Sequence, residues 1–586
     1  MSNNIQKIKK KKQEWEEKVL KPALESFGLK ESPTKFYTPI DAQGFDFLSK
    51  VGFPGEYPFT AGIYAAQPGM PVPRVGRATT QRRSRPEAAR LVRAAGYSGY
   101  GTAEDTRDYY KELQERGDRG GPNLAFDLPT QCGYDSDNPL IRGDVGKVGV
   151  TVDTLRDFEI IYEPFQGETE LDRIASNFTI NAPANIIIAM YFALAEKRGI
   201  PLEKLRATPQ NDILKEFVAR GTYIFPPGPS MRMFRDSLVF LNEYCPRINI
   251  TSAGGYHIRG AGATREQDLA FSMAILIAYL QEGVNAGLDV DSFAPRFTIN
   301  QFGGSMEMFK EIAFHRASRR MYARIVKEKF GAKNERSMLL RGGRMGAHIG
   351  CENTTIQRPL NNLTRSVIGA VASALSGGEG TAYPPYDEPL VMGRGLESSQ
   401  LARDATRIVH YEAKLGTVRD PLAGSYYVES LTDEIEEAAW KELDKIEAMG
   451  GAVAAIENGY MQREVAKSAH ARQRRIESGE DLMVGVNCFV GEHELELEIN
   501  HLVPPVYDPV RREQAEEKQI RNLTELKKNR DNRAVAKLLK ELKDKANKED
   551  ENLIPHFIEC AKAYVSEQEM CDVLREVFGE YEPVSL

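Results

Sequence analysis

Cysteine is scarce in this chain. Six residues (Cys132, Cys245, Cys351, Cys488, Cys560 and Cys571) are spread over 586, and no two form a C-x-x-C pair. This spacing argues against a disulfide framework and for free thiols in a reducing compartment, with the cytoplasm as the expected location. Long hydrophobic runs are also missing. The longest, Ile186 to Ala195, has ten residues, against the roughly 18 needed to cross a bilayer. The opening segment, MSNNIQKIKKKKQEWEEKVL, has lysines but no apolar stretch of signal-peptide type. Glu14, Glu16 and Glu17 come too early for an acid-poor organelle presequence, so no targeting segment is expected. Nor is there an excess of positive charge: 77 basic side chains against 84 acidic ones leave a net charge of −7. A nucleic acid backbone would find no broad basic surface, so neither nucleic acid nor membrane is an expected partner.

The length of 586 residues allows one large α/β domain with appended elements. Residues 1–60 read as a charged helix and an extended arm broken by Pro33, Pro39 and Pro54. Over 61–430, short apolar or β-branched runs alternate with turns and helix-length segments. Candidate strands fall near Ala94–Gly99, Leu124–Leu128, Ile174–Ile180, Leu205–Thr208, Arg247–Thr251, Pro295–Asn300, Ser337–Leu340 and Glu379–Tyr383. Eight such βα units suggest a (β/α)8 TIM barrel, although periodicity alone leaves an open doubly wound sheet as the alternative. One crossover helix is well marked. Pro359 stands near its start, Leu363, Val367, Ile368, Val371, Ala374 and Leu375 form a stripe, and Gly377 with Gly378 ends it. Tyr97, Thr179, Gln210, His257, Asn300, Arg344 and Tyr383 all fall near the C-terminal ends of separate candidate strands, where barrel enzymes gather their chemistry. Residues 431–586 read as a helical C-terminal region, with the charged stretch after Arg511 expected to be solvated or partner-facing.

Four segments carry more specific information: GYGTAEDT (99–106), LAFDLPTQCGYDSDNPLIRGDVGKVGV (124–150), QNDILKEFVARGTYIFPPGPSMR (210–232) and GGYHIRGAG (254–262). With FAPRF (293–297), DPLAGSYYVESLT (420–432), MGGAVAAIENGY (449–460) and RQRRIESGEDLMVGVN (472–487), they resemble, in order, the methylmalonyl-CoA mutase family with its isobutyryl and 2-hydroxyisobutyryl relatives. The resemblance implies a radical carbon-skeleton rearrangement of an acyl-CoA, started by adenosylcobalamin. The family's cobalamin-ligating D-x-H-x-x-G motif surrounds none of the eight histidines. The resemblance therefore implies a large, substrate-binding subunit whose cofactor sits mainly on a separate small cobalamin-binding subunit. It also implies a homodimer of large subunits within a heterotetramer, and a GTPase chaperone among the partners; no metal ligand is assigned to this chain.

Carried over by position, His257 becomes the hydrogen-bond donor to the substrate's thioester carbonyl, with Gln210 beside it. Arg220 matches the arginine that clamps a substrate carboxylate, a task suited to a planar guanidinium. Tyr97 matches a tyrosine placed against substrate and adenosyl group. The implied substrate contacts further include Thr208, Tyr256, Asn123, Asn177, Thr179 and Arg296, and the implied cofactor contacts Glu388, His348 and Arg344. Some family features are altered: Gly260 replaces an acidic residue, MGAHIG (345–350) replaces H-C-Q-T, GTAYPP (380–385) replaces Q-S-L-H-T-N, and Asn123 and Asn177 stand for serines. These point to a changed acyl group, with a carboxylated thioester of methylmalonyl/succinyl type expected. The alternatives are a branched or hydroxylated acyl-CoA such as isobutyryl-CoA or 2-hydroxyisobutyryl-CoA, and a non-catalytic scaffold subunit.

Overall fold

In the computed structural model, residues 2–26, 29–31, 36–42, 44–65, 99, 101–115, 119–299, 306–341, 353–377, 385–391, 396–491 and 509–585 are described. Tyr97, Asn300, Arg344, His348, Tyr383 and the candidate strand Glu379–Tyr383 fall outside them, as does Ala94–Gly99 apart from Gly99.

Among the described residues five short parallel strands follow one another in chain order: β1 (Asn123–Ala125), β2 (Ser176–Thr179), β3 (Ala207–Pro209), β4 (Thr251–Ala253) and β5 (Phe297–Ile299). β1 pairs with β2 through Asn123↔Asn177, and β2 with β3 through Asn177↔Thr208. β4 pairs with β5 through Thr251↔Phe297. Backbone bonds from Asn249 N to Ala207 O (2.9 Å) and from Ser252 N to Gln210 O (2.8 Å) join β3 to β4. Ile299 N donates to Arg341 O at 2.7 Å, and Gly101 and Phe126 both bridge in parallel to Val150, so the order continues past both ends. Helices connect the strands, as parallel pairing requires. The observed architecture is mixed α/β, mostly helical, with small parallel sheets.

Two expected strands differ. β4 begins at Thr251, because Ile248 N bonds back to Cys245 O (3.0 Å) and the preceding residues are spent on a turn. Ser337–Leu340 contains no described strand. Asp291 curls the segment before it, accepting from Lys333 N (2.9 Å), Asn334 N (3.1 Å) and Ser337 Oγ (2.7 Å) to leave a short 3₁₀ turn at Glu335–Ser337. The marked crossover helix runs Asn361–Leu375 and is followed by Gly377 at φ +77°, a conformation that favours glycine.

Side chains alternate across the strands. Leu124 and Phe178 point to the helix side, where Phe178 meets Tyr191 of the helix Ala184–Lys197 edge-on at 5.2 Å. That helix is buried along almost its whole length and explains the apolar run at 186–195. Among the described residues no single helix is long and apolar enough to cross a membrane. Asn123, Asn177 and Thr208 point the other way in one register row, all half-buried. Asn249 extends the row by donating to Thr208 Oγ1 at 2.8 Å.

Among the described residues the main core cluster reaches from Phe59 to Leu574, beside two small clusters around Ile312 and Ala370. The C-terminal helices Asn532–Ala546, Ile554–Lys562 and Glu567–Phe578 bury Val535, Leu542, Phe557, Met570 and Leu574 in it. The charged tail is thus packed on its own chain, where its sequence suggested solvent or a partner. The arm behaves likewise from Val51 to Ile63. A single helix, Met308–Arg324, links these parts through three buried arginines. Arg316 pairs with Glu429 (2.7 Å), Arg319 donates to Phe59 O (3.0 Å), Thr60 O and Ser376 O (both 2.5 Å), and Arg320 reaches Asp433 (2.7 Å) and Glu436.

Candidate active site

The C-terminal ends of β2, β3 and β4 meet at one buried polar cluster, the end of a parallel sheet where ligands bind. Gln210 follows β3 directly, and its amide is oriented by two donors. Asn181 Nδ2 (2.9 Å) and Lys215 Nζ (2.7 Å) both bond to Oε1, which turns the Gln210 NH2 group away from them as a free pair of donors. After Gln210 the chain makes the turn Glu216–Arg220, closed by Gly221 at φ +84°. Glu216 is fully buried. Its Oε1 accepts from Asn181 Nδ2 (2.6 Å) and pairs with Lys215 Nζ (3.1 Å), while its Oε2 accepts from Thr222 Oγ1 (2.5 Å).

Arg220 stands one helical turn beyond. Its Nη1 lies 3.6 Å from Glu216 Oε1, too far for a hydrogen bond, and is buried without a hydrogen-bond partner among the described residues. The side chain as a whole is 28% exposed, so its fork is open to a small anion.

His257 enters from the short helix Gly255–Gly260 after β4. Glycine is needed at 255, because a Cβ there would stand 2.4 Å from Asp268 Oδ1 and 2.5 Å from Ser272 Oγ of the helix Arg265–Asn285. Asp212 anchors the same turn from the other side, accepting from Gly254 N (2.7 Å) and Tyr279 Oη (2.8 Å). The His257 ring is 3.8 Å from that of Tyr256, and its Nδ1 is 3.1 Å from Lys215 Nζ. Burial, with the cations Lys215 and Arg220 nearby, pushes the imidazole well below its ordinary pKa, against a smaller opposing pull from the Gly254 carbonyl. The ring is neutral near pH 7. Burial also lowers the Lys215 ammonium, with Glu216 and Asp212 opposing, and burial raises the Asp212 carboxyl, with Lys215 opposing.

The structure therefore brings together Gln210, Arg220 and His257, with Tyr256 against the histidine. Thr179 ends β2, and the row Asn123, Asn177 and Thr208 lies further down the same strand face. Arg296 is placed elsewhere. It precedes β5 and donates to Leu241 O (2.9 Å), Cys245 O (3.3 Å) and Asn242 Oδ1, tying off the helix Pro227–Tyr244 at the opposite end of the strands. Its neighbourhood of helix-end carbonyls accounts for a basic residue there. Glu388 opens the short helix Glu388–Val391 and is half-buried.

Lys215, Glu216 and Asn181 received no role from the sequence, nor did Asn249. The available signal was a Lys-Glu pair enclosed by Ile213, Leu214, Phe217 and Val218, since charges inside an apolar run are buried only when paired.

Residues 30–580 match the family model described as methylmalonyl-CoA mutase. The chain is 36% identical over 537 residues to the 2-hydroxyisobutanoyl-CoA mutase large subunit of Aquincola tertiaricarbonis, covering 91% of this chain and 88% of that one. It is 36% identical over 489 residues to mitochondrial methylmalonyl-CoA mutase of Mus musculus, covering 83% of this chain and 62% of the mouse protein. With methylmalonyl-CoA mutase of Rhizobium meliloti the identity is 34% over 547 residues, 93% of this chain and 71% of that one. The chain belongs to the methylmalonyl-CoA mutase family, a family of cobalamin-dependent acyl-CoA mutases.

Proposed function

We propose that this protein is the large subunit of an adenosylcobalamin-dependent mutase that interconverts a 2-substituted succinyl-CoA and the isomeric malonyl-CoA, with a substituent that can be bulkier than hydrogen. The observation that carries this reading is the convergence of Gln210, Arg220 and His257 in one buried cluster, with the Arg220 Nη1 left without a hydrogen-bond partner. A partly exposed guanidinium whose buried Nη1 has no hydrogen-bond partner among the described residues calls for an anion, and a carboxylate matches its fork. His257, neutral and half-buried, donates to the thioester carbonyl. The Gln210 NH2 group supports the same substrate end, and the polar row Asn123, Asn177, Thr208 and Asn249 lines the path of the CoA arm. Five sequential parallel strands with helical crossovers, and the continuation at both ends, support the full (β/α)8 barrel as the container.

Adenosylcobalamin, when bound, supplies the radical that starts the rearrangement. Of the residues assigned to it, Arg344 and His348 lie outside the described residues. Glu388 fits the group chemically, because a half-buried carboxylate can accept from the hydroxyls of an adenosyl ribose. A small cobalamin-binding subunit completes the enzyme, in keeping with the large-subunit name of the Aquincola relative.

That relative also motivates a second reading, a hydroxylated or branched acyl-CoA lacking the extra carboxylate. The test is to assemble the chain with its small subunit and adenosylcobalamin and to survey acyl-CoA thioesters for isomerisation. Turnover of a dicarboxylic thioester, lost by roughly 100-fold or more in Arg220→Gln, is expected. Unchanged turnover in that variant, or turnover of monocarboxylic thioesters alone, refutes the carboxylate clamp.

A further inference from the structure

We propose that Lys215 is a positioning residue for His257, holding the imidazole in the tautomer that carries its proton on Nε2 and presents that N–H to the substrate carbonyl. The assignment deepens the reading of His257 given above and rests on it for its catalytic meaning.

The argument is one of donors and acceptors. An ammonium has three N–H donors and no acceptor. Around Lys215 Nζ, which is buried, stand three groups: Gln210 Oε1 at 2.7 Å, Glu216 Oε1 at 3.1 Å and His257 Nδ1 at 3.1 Å. Two are oxygens that can only accept in this arrangement. If Nδ1 also accepts, every ammonium proton is satisfied. If Nδ1 carried a hydrogen, two buried donors would face each other, and one would stay unpaired at a cost of about 1–3 kcal/mol. The reverse arrangement, a neutral amine accepting from Nδ1–H, would leave fully buried Glu216 with only the more distant Arg220 guanidinium, at 3.6 Å, as counter-charge. Without the lysine no ammonium would donate to Nδ1, and the preference for hydrogen on Nε2 would be lost. Arg220 and Asp212 also face the cluster, the first repelling a proton on the ring and the second sharing the ammonium. The tilted Tyr256 ring, 3.8 Å away, packs against the imidazole and restricts its rotation. One lysine therefore sets two substrate-facing donors at once, the His257 Nε2–H and the Gln210 NH2 group.

The tautomer can be read without activity. In the full chain labelled with 15N-histidine, two-bond 1H–15N correlations distinguish a protonated Nδ1 from a protonated Nε2, and the variant His257→Gln identifies the signal. The expected wild-type pattern is a neutral ring with hydrogen on Nε2. Lys215→Met should move the hydrogen to Nδ1 or mix the two forms, and Lys215→Arg should retain the wild-type pattern. Hydrogen on Nδ1 in the wild type overturns the proposal even if Lys215→Met does not fold. An unchanged pattern in a folded Lys215→Met does the same. In the assembled holoenzyme, Lys215→Met should lower kcat by roughly tenfold or more with KM for the thioester nearly constant, because the lost donor acts on developing charge. An unaltered kcat also refutes the proposal. A wild type with the stated tautomer but no mutase activity would sink the proposed function and leave the lysine–histidine coupling standing.

Discussion

His315 sits mid-way along the helix Met308–Arg324, 1% exposed, and neither ring nitrogen has a hydrogen-bond partner among the described residues. Burial pushes its pKa down to about 4, with Arg319 and Arg259 adding to the shift and Glu311 opposing it. The folded chain keeps this ring neutral, whereas the unfolded chain protonates it near 6.5. Its contribution to stability is therefore whole above pH 6.5 and is lost as the pH falls toward 4. Between pH 7 and 5 the loss amounts to about 2 kcal/mol. Urea melts of wild type and His315→Leu should show that much extra acid sensitivity in the wild type, and parallel pH profiles would contradict the assignment. At this scale the legibility of the sequence was uneven. Gln210, Arg220 and His257 stand in motifs whose neighbours mark them as candidates. Lys215 and Asn181 join the cluster only through distances across strand ends, which no spacing along the chain expresses. Arg296 shows the converse, since its motif was visible but its side chain was captured by the carbonyls of Leu241 and Cys245.

Among the elements, the C-terminal helices were the hardest to read. The helix Asn532–Ala546 is charged on most of its surface, and its narrow stripe of Val535, Leu538, Leu539 and Leu542 looks like a solvated helix until a partner is known. That stripe packs on the two following helices, Ile554–Lys562 and Glu567–Phe578, and these in turn find their partner far earlier in the sequence. The helix Ile554–Lys562 packs on Ala184–Lys197, and Lys527 Nζ reaches Asp135 (2.8 Å). Arg232 donates to Ala546 O (2.5 Å) and Glu551 O (3.2 Å), occupying the carbonyls at that helix end. Phe557, with no exposed surface, is central to this docking. Phe557→Ala should cost about 3–5 kcal/mol in urea unfolding and should speed amide exchange first over residues 532–578. Uniform exchange across the whole chain would show instead that these helices are no separate cooperative unit. The strands were easier to find, because β-branched runs between turn signals mark them. Their ends were not, because capping side chains such as Asp291 decide where pairing starts.

For the whole molecule, order in sequence largely became order in space: β1, β2 and β3 are neighbours, β4 follows β3, and β5 follows β4. That regularity is why an alternating βα rhythm could be recognised without knowing any contact. What the rhythm concealed is how the ends close on the middle. Mixed with the proposed small cobalamin-binding subunit, the chain should form a complex of defined mass by sedimentation, and Arg220→Gln should assemble equally well, since Arg220 belongs to the polar cluster at the strand ends. Failure of that variant to associate would make its loss of turnover uninformative about substrate.

The three arginines of Met308–Arg324 carry a consequence for biosynthesis. Arg319 holds Phe59 and Thr60 to Ser376, and Lys50 pairs with Asp433 at 2.5 Å. On a ribosome the first 60 residues emerge long before these acceptors exist. At about 5–20 residues per second, they wait for on the order of half a minute before their berth has been made. The nascent arm must spend that interval undocked, exposing Val51, Phe59 and Ile63 to whatever chaperones attend translation.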